Sequence, residues 1–134
     1  MPEFDTLIKT ALKEDIGTGD ATTEVFIPKG LRFEGRMFAK AAGVLAGGAV
    51  AKRVFELADP GSRVRLLLKD GARVKRGAVI LTVRGSRRLL TAERTALNFI
   101  QHLSGVATRA ARFAKALGNR RTKIYDTRKT VPGL

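Results

Sequence analysis

Lys123-Ile124-Tyr125-Asp126-Thr127-Arg128-Lys129-Thr130-Val131-Pro132-Gly133-Leu134 is a short β-prone run that leads into one acid, two hydroxyls and two cations before Pro132 and Gly133 turn the backbone. Such a stretch makes a poor core and a good anion site. Arg presents a planar fork that holds a carboxylate or phosphate bidentately, Lys adds a mobile point charge, and hydroxyls complete the shell. In parallel α/β folds a polar cluster at the carboxyl end of a strand lies where ligands bind. The competing reading is a solvated loop that happens to be charged, and these residues alone leave both open.

Working back from that stretch, residues 89–117 carry the longest helical pattern, with Leu90, Leu97, Ile100, Leu103, Ala107, Ala110, Phe113 and Leu117 on an apolar stripe. Thr91 is placed to cap this helix and Glu93 sits in its first turn, while Ser104 and Gly105 either kink it or divide it. A helix of this length joins two structural units. Arg94 has Glu93 as its neighbour, which on its own means a surface ion pair of about 0 to 1 kcal/mol. His102 is the single histidine and reads as part of a polar helix face, because no partner motif surrounds it.

Nearer the start, Phe4, Leu7, Ile8, Ala11 and Leu12 recur at helical spacing, and a Gly-punctuated acidic loop follows over residues 14–20. Asp15 and Asp20 are hard oxygen donors, but the Asp-x-Asp-x-Asp-Gly order of a calcium loop is missing, so a turn with Asp20 or Thr22 as a cap is expected. Residues 31–40 alternate as a half-buried strand, with Phe33, Gly35, Met37 and Ala39 on one side. A short strand at residues 44–46 leads into a helix at about residues 49–57. Gly43, Gly47 and Gly48 do not make GxGxxG, so close backbone packing is expected there in place of a dinucleotide loop. Residues 64–68 and 78–83 read as strands. The segment DGARVKRGAVILTV resembles half of a biotinyl or lipoyl carrier domain, yet no Lys has the flanking Met or Asp-Ala of a modified lysine, so sandwich packing is the expected account.

At 134 residues with 44% hydrophobic content, one core is expected and hardly two. The formal net charge of +14 suits nucleic acid, a membrane surface or strongly anionic small substrates. The basic residues are spread through the sequence, and with one Tyr and no Trp there is little surface on which bases stack, so nucleic acid is disfavoured. The lack of cysteine excludes disulfides and thiolate metal sites. With neither a secretory leader nor an apolar run of about 18 residues, a cytoplasmic protein outside the membrane is expected.

EDIGTGDATT at residues 14–23, TAERTALNFIQHLSGVAT at residues 91–108, and DTRKT at residues 126–130 followed by PGL fall in the order and spacing of one family. The sequence resembles quinolinate phosphoribosyltransferase, also called nicotinate-nucleotide pyrophosphorylase (carboxylating), over essentially its whole length. The resemblance implies an α+β fold: an amino-terminal α/β sandwich domain with its connecting helix at residues 1–108, then the start of an incomplete α/β barrel at residues 109–134, with the first strand and the DTRKT loop. Family members are much longer, so an amino-terminal fragment, inactive alone, is expected. The implied reaction joins quinolinate to phosphoribosyl pyrophosphate with loss of carbon dioxide and pyrophosphate, giving nicotinate mononucleotide for NAD biosynthesis.

By the same resemblance Arg128 clamps a quinolinate carboxylate, Lys129 lies against quinolinate and the phosphoribosyl group, Thr127 hydrogen-bonds substrate, and Arg94 reaches into the site of a neighbouring subunit. That requires a homodimer or a higher even-numbered homo-oligomer. The family's Mg2+ is expected on residues of the carboxyl-terminal part, beyond Leu134. The related molybdenum-transport-associated protein, nicotinate phosphoribosyltransferase, and a non-enzymatic basic module binding anions or RNA are the alternative readings.

Overall fold

The alternation of residues 31–40 becomes strand β1 (Arg32–Phe38), in which Phe33, Gly35 and Met37 face inward and Arg32, Glu34, Arg36 and Phe38 face solvent. The structure is a computed structural model, and it describes residues 4–118 and 121–129. Before β1 lie helices α1 (Asp5–Ile16) and α2 (Ala21–Phe26). After it come β2 (Gly43–Val44), α3 (Gly48–Ala58), β3 (Arg63–Leu66), β4 (Arg73–Val74), β5 (Val79–Ser86) and α4 (Arg88–Leu117). The strands form an antiparallel three-stranded sheet in the order β1-β5-β3 and a two-stranded ribbon, β2-β4.

Helices α3 and α4 cover one face of the larger sheet, α1 packs against both helices, and the core lies between these layers. Ile8 and Leu12 of α1, Ala51, Val54 and Phe55 of α3, Leu81 and Val83 of β5, and Leu89, Ala92, Ala96 and Ile100 of α4 form it. This is the expected α/β sandwich on an α+β plan. Small residues on α4 let α3 approach closely, and each large aliphatic or Phe side chain removed from water in this core contributes about 1.5–3 kcal/mol.

The glycines and one aspartate shape the connections. Gly71 and Gly77 adopt φ of 88° and 85° at the third position of two turns, closed by Ala72 N–H to Lys69 O and Ala78 N–H to Lys75 O. Only a residue without Cβ takes that position readily. Between the turns, β4 pairs with β2, so the carrier-like segment is a hairpin element of the sandwich. Asp70 accepts from Gly47 N–H at 3.1 Å and Gly48 N–H at 2.9 Å, capping α3 from a distant loop.

Several expectations need correction. The acidic loop is shorter than its composition suggests: α1 continues through Asp15 to Ile16, and Asp20 caps α2 by accepting from Thr23 N–H, while Thr22 does not. Helix α4 is continuous through Ser104 and Gly105, and Thr91 is not its cap, because β5 passes directly into the helix at Arg87 and Thr91 lies a turn inside. The buried stripe of α4 is rotated from the expected one: Leu90 is exposed, and Leu89, Ala92 and Ala96 face the core. From Arg109 to Ala116 only Ala111 is even half-buried, so Phe113 stands in solvent. Residues 122–129 form no strand. A lone strand has no neighbour to take its backbone N–H and C=O groups. Thr130 and the turn at Pro132 and Gly133 lie outside the described residues.

Candidate substrate-binding site

Arg94 stands in the second turn of α4, where the end of α1 and the start of α2 pass beside the helix. Its Nε donates to Asp15 Oδ1, and its Nη2 donates to the Asp15 carbonyl oxygen at 3.1 Å. Asp15 lies in the last turn of α1, where carbonyls lack helical partners, so the helix end offers both an ionised and a backbone acceptor. Thr95, buried on the next position of α4, donates its hydroxyl to the other Asp15 oxygen at 3.0 Å. The ion-pair partner is therefore Asp15, 79 residues away, and not the sequence neighbour Glu93.

Asp20 builds the adjoining wall. Its Oδ2 accepts from Thr23 Oγ1 at 2.6 Å and from Thr91 Oγ1 at 3.0 Å. The hydroxyl and backbone N–H of Thr23, with Thr91 and the positive charge of Arg94, hold the Asp20 carboxyl below the usual carboxylate range. Thr91 thus ties α4 to α2. The side chain of Arg94 remains 72% exposed although its anchor Asp15 is only 18% exposed, so the guanidinium is fixed from beneath and open above.

Thr127, Arg128 and Lys129 follow α4 as exposed coil, with Arg128 at φ 56°, a left-handed conformation that costs a side-chain-bearing residue energy. Thr122, Lys123, Ile124 and Tyr125 line a shallow groove with Ala114, Leu117 and Gly118, so this segment lies beside the last turns of α4. Arg94 and Leu117 are separated by about 35 Å of helix. Even with the reach of the few residues after Tyr125, Arg94 and Arg128 stand on the order of 20 Å apart. Within one chain the structure brings together Thr127, Arg128 and Lys129 by sequence, and it does not bring Arg94 to them.

The outer face of the larger sheet is a second concentration of charge. Across the ladder Arg63 lies opposite Arg84, Arg65 and Arg36 flank Thr82, and Glu34 is the one acid on the three strands. None of Arg32, Arg36, Arg63, Arg65 and Arg84 takes part in an ion pair among the described residues. His102 is exposed on the polar side of α4, as its surroundings suggest.

Among the described residues no three His, Cys, Asp or Glu side chains converge as metal ligands. The acids that are close together, Asp15 and Asp20, already have their oxygens engaged by Arg94, Thr95, Thr23 and Thr91. This donor set does not fit a magnesium ion, which needs hard oxygens free to complete an octahedron. No helix among the described residues is long and apolar enough to cross a membrane.

Fold and site together define a two-layer α+β module that displays a fixed guanidinium at one end of its longest helix and a basic loop at the other. The chain belongs to the quinolinate phosphoribosyl transferase family: the family's amino-terminal domain model matches residues 20–104. Nicotinate-nucleotide pyrophosphorylase (carboxylating) of Mycobacterium leprae is 43% identical over 98% of this chain, which spans 49% of that protein. The chloroplastic enzyme of the same name from Arabidopsis thaliana is 41% identical over 99% of this chain and 39% of its own length. The crystal structure of NadC from Streptococcus pyogenes superposes with a TM-score of 0.93 at 44% identity, covering 97% of this chain and 47% of that one. The chain spans about half the length of the curated relatives it matches or less.

Proposed function

We propose that this chain forms the amino-terminal half of a quinolinate phosphoribosyltransferase, acting on quinolinate and phosphoribosyl pyrophosphate in the cytoplasm as a homodimer or higher even-numbered homo-oligomer. The observation that supports this reading best is the family match, which contains Asp20 and Arg94 together. In the reaction the pyridine nitrogen attacks the anomeric carbon, pyrophosphate departs with the bonding electrons, and the ring carboxylate lost as carbon dioxide is replaced by a proton. The work of this chain is positioning and charge stabilisation. Arg128 and Lys129 hold anionic substrate groups, Thr127 donates a hydroxyl, and Arg94 enters the site of the neighbouring subunit. Magnesium, which supplies neutralisation of the leaving pyrophosphate, has its ligands on residues outside this chain.

The separation of Arg94 from Arg128 along α4 favours a site shared between subunits, and mixing tests it. A chimaera in which residues 1–134 replace the matching segment of the Mycobacterium leprae enzyme is made as Arg94→Ala and as Arg128→Ala, each nearly inactive. In a mixed dimer one site recovers both arginines and the other has neither. Random exchange at equal concentrations makes about half the dimers mixed, so roughly a quarter of the parent activity returns. If exchange is verified by mass and no activity returns, Arg94 does not act across subunits.

A further inference from the structure

We propose that Asp15 is the positioning residue that presents Arg94 to substrate, an inference that rests on the shared-site reading above. A guanidinium has two edges suited to an anion, one formed by Nε and Nη2 and one formed by Nη1 and Nη2. Asp15 takes the first edge with two atoms, its Oδ1 on Nε and its carbonyl oxygen on Nη2. The second edge faces solvent, and Nη1 has no partner among the described residues. Asp15 in turn cannot rotate away, because its Oδ2 accepts from the buried Thr95 hydroxyl. An arginine on a free side chain would lose substantial rotamer entropy on binding an anion; here the anchor has already fixed it.

Charge gives the inference its sign. Asp15 bonds Arg94 directly, and Asp20 lies beside it, bonded to Thr91 one turn earlier on α4. The three groups sum to one negative charge, so this corner contributes orientation to a dianionic substrate and not net attraction. Removing the Asp15 carboxylate therefore lowers turnover without weakening substrate binding. A residue that only docked α1 onto α4 would do the reverse, lowering stability and sparing turnover.

The chimaera described above, made as Asp15→Ala, Asp15→Asn, Thr95→Val and Arg94→Ala, separates these cases. Asp15→Ala is expected to lose about 10- to 100-fold in kcat with the KM for quinolinate no higher than the parent's. Asp15→Asn, whose amide oxygen still accepts from Nε but carries no charge, recovers part of that loss. Thr95→Val, which leaves both Arg94 bonds possible but frees the Asp15 carboxylate to rotate, loses less kcat than Asp15→Ala. In the 134-residue chain itself the Arg94 Nε–H gives a resolved resonance that Asp15→Ala abolishes and Thr95→Val retains. Loss of activity in Arg94→Ala without loss in Asp15→Ala overturns the positioning role alone. No loss in either overturns the shared-site reading, and a persistent Nε–H resonance in Asp15→Ala overturns the fixed fork independently of catalysis.

Discussion

Asp59 is the one buried acid among the described residues, 6% exposed at the end of α3. Burial by itself raises its pKa, but hydrogen bonds from Ser86 and from Gly61 N–H outweigh burial and hold the carboxyl below its ordinary range. Asp5, paired with Arg53, and Asp20, bonded by Thr23, are displaced in the same direction. For such groups the unfolded chain, with carboxyls titrating near pH 4, binds more protons than the folded one in the window below that value. Stability is therefore fully present above that window and is lost as pH falls through the lowered folded pKa values. The urea midpoint is expected to stay level from about pH 7 to 5 and to drop below about pH 4. Asp59→Asn, which keeps an acceptor for Ser86 but cannot ionise, makes the drop shallower, and a level midpoint down to pH 3 would contradict the assignment. At this scale the sequence was only half legible. It displayed the residue types at Asp15, Asp20, Arg94 and Arg128, but a carboxylate whose guanidinium lies 79 residues away leaves no local signature, and neighbouring Glu93 was the more visible partner.

Between elements, α4 and the ribbon are joined by two hydroxyls. Ser104 Oγ accepts from Ala46 N–H and donates to Ala46 O, both at 3.0 Å, and Thr108 Oγ1 accepts from Val44 N–H at 2.9 Å. A two-residue strand would otherwise leave that edge unpaired, and Gly43 is required beside it, since a methyl there would sit 2.6 Å from Thr108 Oγ1. Ser104→Ala is expected to cost about 1–3 kcal/mol by stranding a part-buried N–H, whereas Thr108→Ser is nearly neutral because the hydroxyl stays. Equal costs for the two in urea denaturation would remove the hydroxyls from this role. The Ser104 hydroxyl explains an error of reading: Ser followed by Gly suggests a break when considered within the helix, but the side chain bonds outward to the β2–α3 connection at Ala46 and the helix runs on. Strand β1 and helix α3 were legible because one buried face imposes a period of 2.0 or 3.6 on the residue types. Neither period can show in two-residue β2 or β4, whose pairing is fixed by turns at Gly71 and Gly77. The run at residues 123–127 has strand composition but no neighbour, and composition does not supply one.

Across the whole molecule the balance of charge is lopsided. The excess of 14 positive charges is set against four ion pairs among the described residues, and Arg63 faces Arg84 directly across the sheet, an arrangement that repels. Salt weakens the pairs and the repulsion alike, and with a net charge of +14 the summed repulsion is the larger, so the melting temperature is expected to rise by several degrees between about 10 mM and 150 mM sodium chloride. A fall over that range would mean that the ion pairs outweigh the repulsion.

Helix α4 also divides into two halves of unequal support. Up to Thr108 it is packed or hydrogen-bonded to the sandwich; beyond that point its turns rest almost entirely on their own ladder, over a length too short to be stably helical alone in water. Amide deuterium uptake should therefore run as a gradient along a single helix: slowest near Ile100, where a proton leaves only when the whole core opens, and fast near Phe113, where local fraying suffices. Uniform protection from Ile100 to Leu117 would mean that the outer turns are clamped by something this chain does not provide. The helix is in effect a graduated scale, on which the point where protection rises marks how far a docked partner extends.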